Sequence, residues 1–178
     1  PILFKQKFAS ASVRVYHAAC NEHRRRSQPN MQHSNTDNPE NALILAVETS
    51  GRKGSVALAK GPQLLAQKTF SAPMKHSAEL FPTIKTLLQQ NNSTPADIQQ
   101  LYISSGPGSF TGLRIATTLA KTFSFAQNTA VVALDTLDVI AANVISEPIP
   151  ELARIDTVAA VLDAKRTRFF IAAWQINN

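Results

Sequence analysis

The 178-residue sequence holds a single cysteine, Cys20, so no internal disulfide can form. Histidine is nearly as scarce, and beyond His33 only His76 follows. One histidine cannot supply a two-histidine metal site, and no Cys/His cluster has metal-ligand spacing. No apolar run approaches the roughly 18–20 residues that a membrane-spanning helix needs. Acid is missing from the start of the chain, where Glu22 is the first carboxylate. These absences exclude a disulfide scaffold, a Cys/His metal module and a helical membrane anchor, and the thiol usage suits a reducing cytoplasm.

The net charge of +6 invites a nucleic-acid reading, but its distribution opposes one. Residues 1–30 carry Lys5, Lys7, Arg14, Arg24, Arg25 and Arg26 against Glu22 alone. The remaining 148 residues are nearly neutral, with 12 basic and 11 acidic side chains. A basic RNA-binding face is therefore not visible outside the first thirty residues. Residues 1–42 read as a disordered or upstream extension. The stretch from Asn21 to Asn41 is rich in Asn, Ser, Gln, Arg and Pro without a period, and Met31 lies just before the ordered pattern.

From Ala42 the pattern changes. Ala42–Ser50 is a continuous apolar run and reads as a buried strand. Gly51–Gly54 turns, Ser55–Ala59 alternates as a second strand, Gly61-Pro62 turns again, and Leu64–Phe70 gives a third. A helical pattern follows, with Leu80, Phe81, Ile84, Leu87 and Leu88 on one arc and Pro82 either in its first turn or marking a kink. Thr94-Pro95-Ala96-Asp97 has the spacing of a capping box. Leu101–Ser104 and Ala130–Leu134 read as buried strands. Asp135-Thr136 caps a helix to about Val144, and Thr157–Asp163 with Phe169–Trp174 frame a charged turn.

Between the strand at Leu101 and the helix Leu113–Ala126 lies Gly106-Pro107-Gly108-Ser109-Phe110-Thr111-Gly112, followed by Leu113 and Arg114. A strand, a glycine-rich loop and a helix can cradle a phosphate, because backbone N–H groups and the helix dipole then face one anion. The same order also serves as a bare tight turn. The spacing is neither the dinucleotide fingerprint nor a P-loop. Ser109 and Thr111 are both fit to cap the helix. That helix spreads its apolar residues over roughly 160° and carries only Arg114 and Lys121 as charges, so it is either covered on two sides or sunk in a core.

This loop resembles the signature of the TsaB family, a branch of the actin-like, sugar-kinase-like ATPase superfamily. Lys75-His76-Ser77 and Asp163-Ala164-Lys165-Arg166 also match that family. The resemblance implies an α/β fold: a ribonuclease-H-like (actin-like ATPase) lobe over residues 43–146 with a mixed sheet in the order β-β-β-α-β-α-β-α. Residues 147–178 would then be a linker and the beginning of a truncated second lobe. It implies a non-catalytic partner subunit in the synthesis of threonylcarbamoyladenosine beside the tRNA anticodon. Its expected partners are a TsaD-like catalytic subunit and a TsaE-like ATPase subunit, with tRNA reached only through the complex and a homodimer when alone. ATP or ADP enters only in the full complex, no cofactor is expected on this chain alone, and no residue is expected to be catalytic. The catalytic paralogue's His-x-x-x-His arrangement has no counterpart here. The family pattern has Asp-Thr-Ser where this chain has Glu48-Thr49-Ser50, one methylene longer. Those three residues either face a nucleotide or only finish a strand. Lys75, His76, Leu113, Lys121 and Phe125 are expected to face the partner. A small-molecule kinase or ATPase of the same superfamily, the older glycoprotease-type assignment, and a scaffold that merely self-associates are the alternative readings.

Overall fold

The apolar run after Ala42 forms the middle of a sheet, as its lack of alternation demands. The structure, a computed structural model, describes residues 14–16, 41–71, 76–145 and 155–175. Its strands are β1 (Arg14–Tyr16), β2 (Leu43–Glu48), β3 (Ser55–Lys60), β4 (Gln63–Thr69), β5 (Gln100–Gly106), β6 (Ala130–Asp135), β7 (Thr157–Lys165) and β8 (Arg168–Gln175). The helices are α1 (His76–Gln90), α2 (Phe110–Gln127) and α3 (Thr136–Ile145), and a 3-10 turn lies at Pro95–Asp97. From β2 to α3 this is the expected order β-β-β-α-β-α-β-α.

The main sheet runs β1-β6-β5-β2-β3-β4. β2, β3 and β4 form the antiparallel meander, with a bulge between Leu58 and Ala59. β5 lies parallel to β2, and β6 parallel to β5, each reached through a helix. Tight turns serve the antiparallel steps, and helical crossovers serve the parallel ones. β1 differs from expectation. This three-residue strand pairs antiparallel with β6 through Arg14↔Ala133 and Tyr16↔Val131, although its stretch reads from composition as extension.

One face of the sheet carries Leu45, Val47, Val56, Leu58, Leu101 and Ile103, and α1 and α2 cover it with Leu80, Leu88, Leu119 and Phe123. On the other face Val132 and Leu134 meet Val139 of α3, with Tyr102 beside them. Burial pushes the Tyr102 phenol up from its ordinary range. α1 corrects two expectations: it begins at His76, which puts Pro82 inside the helix and not in its first turn, and its apolar arc is not wholly buried. Leu80, Ile84, Leu87 and Leu88 are buried, but Phe81 is 60% exposed. It sits at the margin of the arc, on the flank towards α2.

β7 and β8 form a separate hairpin. Val158 and Ala160 pack against Leu137 and Ala141 of α3, while Val161, Phe169 and Ile171 point outwards and are exposed. At the tip Lys165, Arg166 and Thr167 all take positive φ, and the Lys165 amide donates to Asp163 Oδ1 at 2.7 Å. The capping box holds at Thr94, whose amide and hydroxyl both donate to Asp97 Oδ2 at 2.7 Å. The Thr94 hydroxyl, then its amide, keeps the Asp97 carboxyl below its ordinary range.

Candidate functional site

Two segments far apart in sequence meet at the carboxyl ends of the central strands. In register, Val47 of β2 faces Ile103 of β5, so the next residues, Glu48 and Ser104, are neighbours. Glu48 uses both oxygens. Oε1 accepts from the Ser50 amide and hydroxyl, each at 2.5 Å, and Oε2 accepts from the Ser104 hydroxyl. The longer side chain thus folds back onto its own strand end and ties β2 to β5.

Thr49 and Ser50 bind the glycine loop. The Thr49 hydroxyl donates to the Gly112 carbonyl at 2.8 Å, and the Ser109 amide donates to the Ser50 carbonyl at 2.7 Å. The contact is so close that side chains are excluded. A Cβ on Gly112 would lie 1.8 Å from the Thr49 carbonyl oxygen, and one on Gly108 would lie 2.7 Å from the Ser50 carbonyl oxygen and Cβ. Gly106, at φ +117°, supplies a backbone that other residues rarely adopt. The Gly106–Pro107 peptide is cis. Ser109 caps α2, its Oγ accepting from the Gly112 amide at 3.4 Å, so the helix starts at Phe110, earlier than the sequence pattern suggests. The glycines therefore serve a seam between backbones. Within that seam the Ser109 amide, the Thr49 hydroxyl and the Glu48 carboxylate all bond to protein.

The seam fixes where α2 lies. Gly112, Ala116, Leu119, Ala120 and Phe123 are buried, and Asn128 closes the helix in the left-handed conformation. The opposite face presents Phe110 at 74% exposure and Phe125 at 81%, with Arg114 and Lys121 between them. The Arg114 guanidinium lies 5.4 Å from the centre of the Phe110 ring. Between α1 and α2 runs a groove lined by Ser77, Phe81, Thr111, Arg114, Ile115 and Thr118. Exposed aromatics beside a groove are the form an interaction surface takes.

Of the residues expected to face a partner, Phe125 and Lys121 lie on this exposed face, and Arg114 of the loop signature joins them. Leu113 is half-buried on another side of α2, its Cδ1 near Gly106. His76 is the first residue of α1, and Lys75 lies outside the described residues. Sequence reasoning missed Ser104 and Phe81. The β2–β5 register would have found Ser104 beside Glu48, whereas nothing local marks Phe81 as exposed. Among the described residues no group of three or more His, Cys, Asp and Glu is gathered as a metal site would need, and no helix is long and apolar enough to cross a membrane.

The family model for TsaD, tRNA N6-adenosine threonylcarbamoyltransferase, matches residues 63–177. The tRNA threonylcarbamoyladenosine biosynthesis protein TsaB of Bacillus subtilis is 29% identical over 135 residues, 76% of this chain and 56% of that protein. The protein of the same name in Haemophilus influenzae is 28% identical over 138 residues, 75% of this chain and 54% of its own length. The solved structure of YeaZ from Pseudomonas aeruginosa superposes with a TM-score of 0.67 at 27% identity, covering 76% of this chain and 61% of that one. The chain spans about half the length of the curated relatives it matches.

Proposed function

Because the chain belongs to the threonylcarbamoyltransferase family and within it to the TsaB proteins, we propose that it is the non-catalytic partner subunit of the assembly that installs threonylcarbamoyl on tRNA. The observation that carries this reading is the seam. Two glycines forced against Thr49 and Ser50 lock the start of α2, and the helix so locked exposes Phe110 and Phe125 beside the groove to α1. A helix pair with exposed aromatics held in place is suited to docking, since preorganised anchors lose little entropy on binding. The catalytic subunit would dock on this face, the ATPase subunit would join the assembly, and tRNA would reach this chain through them. In isolation a second copy would take the same face. ATP or ADP would be bound by the complex, and the setting is cytoplasmic.

The seam also supports a structural role for the loop and for Glu48, Thr49 and Ser50, whose polar groups satisfy one another. Residues 43–146 act as the first lobe. Residues 147–178 open a second one, a reading supported by the outward apolar face of the β7–β8 hairpin. The reading is tested by capture of the purified catalytic subunit, followed by isothermal titration with wild-type chain and with Phe125→Glu. A carboxylate there would be desolvated without a partner, so affinity should fall by about tenfold or more while the fold is kept. Equal binding by both chains, or turnover by this chain alone, would overturn it.

A further inference from the structure

Resting on the reading that α1 and α2 form the docking face, we propose that this face selects by charge. It takes a protein partner that brings carboxylates among apolar side chains, and it disfavours a second copy of this chain. The outward stripe of α2 is Phe110, Arg114, Thr118, Lys121 and Phe125, and the helix contains no acidic residue. Across the groove α1 adds exposed Phe81 and Lys85. Its only carboxylate, Glu79, is turned to Ser71, accepting the amide at 2.7 Å and the hydroxyl at 2.5 Å. Among the described residues the face thus shows three cations, three exposed aromatics and no outward acid.

An isologous pair buries the same patch twice, so each copy would set three cations against three. Charges closer than the Debye length, about 10 Å at 0.1 M salt, repel with little screening. The aromatics favour any apolar occupant equally, so the cations decide between occupants. RNA would also welcome cations and rings. Here, though, Ile115 and Leu119 line the groove and threonines make up most of the polar remainder, a composition that suits an apolar protein helix better than a phosphate backbone.

The test uses the full chain, wild type and Arg114→Glu/Lys121→Glu, with thermal unfolding as the check that both fold. Sedimentation equilibrium of wild type should show self-association that tightens as salt rises from about 0.05 to 0.5 M, while binding to the catalytic subunit weakens over the same range. Arg114→Gln/Lys121→Gln should lose most of that self-association response, which separates like-charge repulsion from general salting out. The doubly reversed chain should pair with wild type roughly tenfold more tightly than either pairs with itself, and should lose the catalytic subunit. Wild-type self-association that ignores salt, or a reversed chain that binds the catalytic subunit as well as wild type, overturns the proposal. So does bulk tRNA that binds wild type alone and not the reversed chain. A wild-type chain that ignores the catalytic subunit at every salt concentration defeats the partner reading instead, and the salt response of self-association still judges the charge.

Discussion

Gly112 and Thr49 stand 63 positions apart, yet one hydrogen bond and one missing side chain join them. Gly112→Ala should therefore cost about 3 kcal/mol or more, because backbone must move to admit the methyl group. Gly51→Ala, whose Cβ would rest 3.7 Å from the Lys53 carbonyl oxygen, should cost about 1 kcal/mol at most. Chemical denaturation of the two variants checks the contrast. Asp138 gives a pH-dependent counterpart. Burial first, then the Asp135 charge, raise its carboxyl above the ordinary 3.8, against a lowering hydrogen bond from Trp174. The folded state then holds a proton that the unfolded chain has released. Stability should fall as pH rises from 3.8 through the raised value. Asp138→Asn should match wild type below that window and exceed it at pH ~7, read by denaturation at both ends. The sequence displays these residues but not their partners. Glu48 beside Ser104 is a fact of register, and the reason for glycine at 112 lies in another strand.

The helices divide by the same logic. In α2 the period of apolar residues and the Ser109 cap are both visible in sequence; Ala116, Leu119, Ala120 and Phe123 follow that period into the core, while Leu113 and Ile115 are half-buried and Ala126 is exposed. In α1 the arc is right except at its margin, where Phe81 turns outwards. A 100° periodicity cannot say how wide the covering surface is, and Phe81 stands on the flank that lines the groove to α2. β2 was readable as buried on both faces from its unbroken apolar run. Leu45, fully buried, should cost about 3–5 kcal/mol on truncation to alanine, whereas Phe125→Glu should shift unfolding by no more than about 0.5 kcal/mol. Unfolding curves of the two variants distinguish a core position from an interface position.

Across the whole chain, composition separated a charged, irregular beginning from the patterned lobe but could not reveal β1. A strand of three residues is too short to leave a compositional trace. Deleting residues 1–40 removes that pairing and should cost about 1 kcal/mol or less, measured by thermal unfolding. A larger loss would mean that the beginning of the chain packs on the lobe. The position of β2 has a further consequence, for how the chain is made. One flank of β2 is closed by β3, the next strand to be synthesised. The other flank waits for β5, and the Leu43 amide finds its Gln99 side-chain acceptor 56 residues later. A nascent chain that has just completed β4 therefore holds a hairpin-closed half-sheet with a bare apolar edge. The seam cannot shut until Gly112 has left the ribosome, so this lobe commits to its fold only after most of it has been translated.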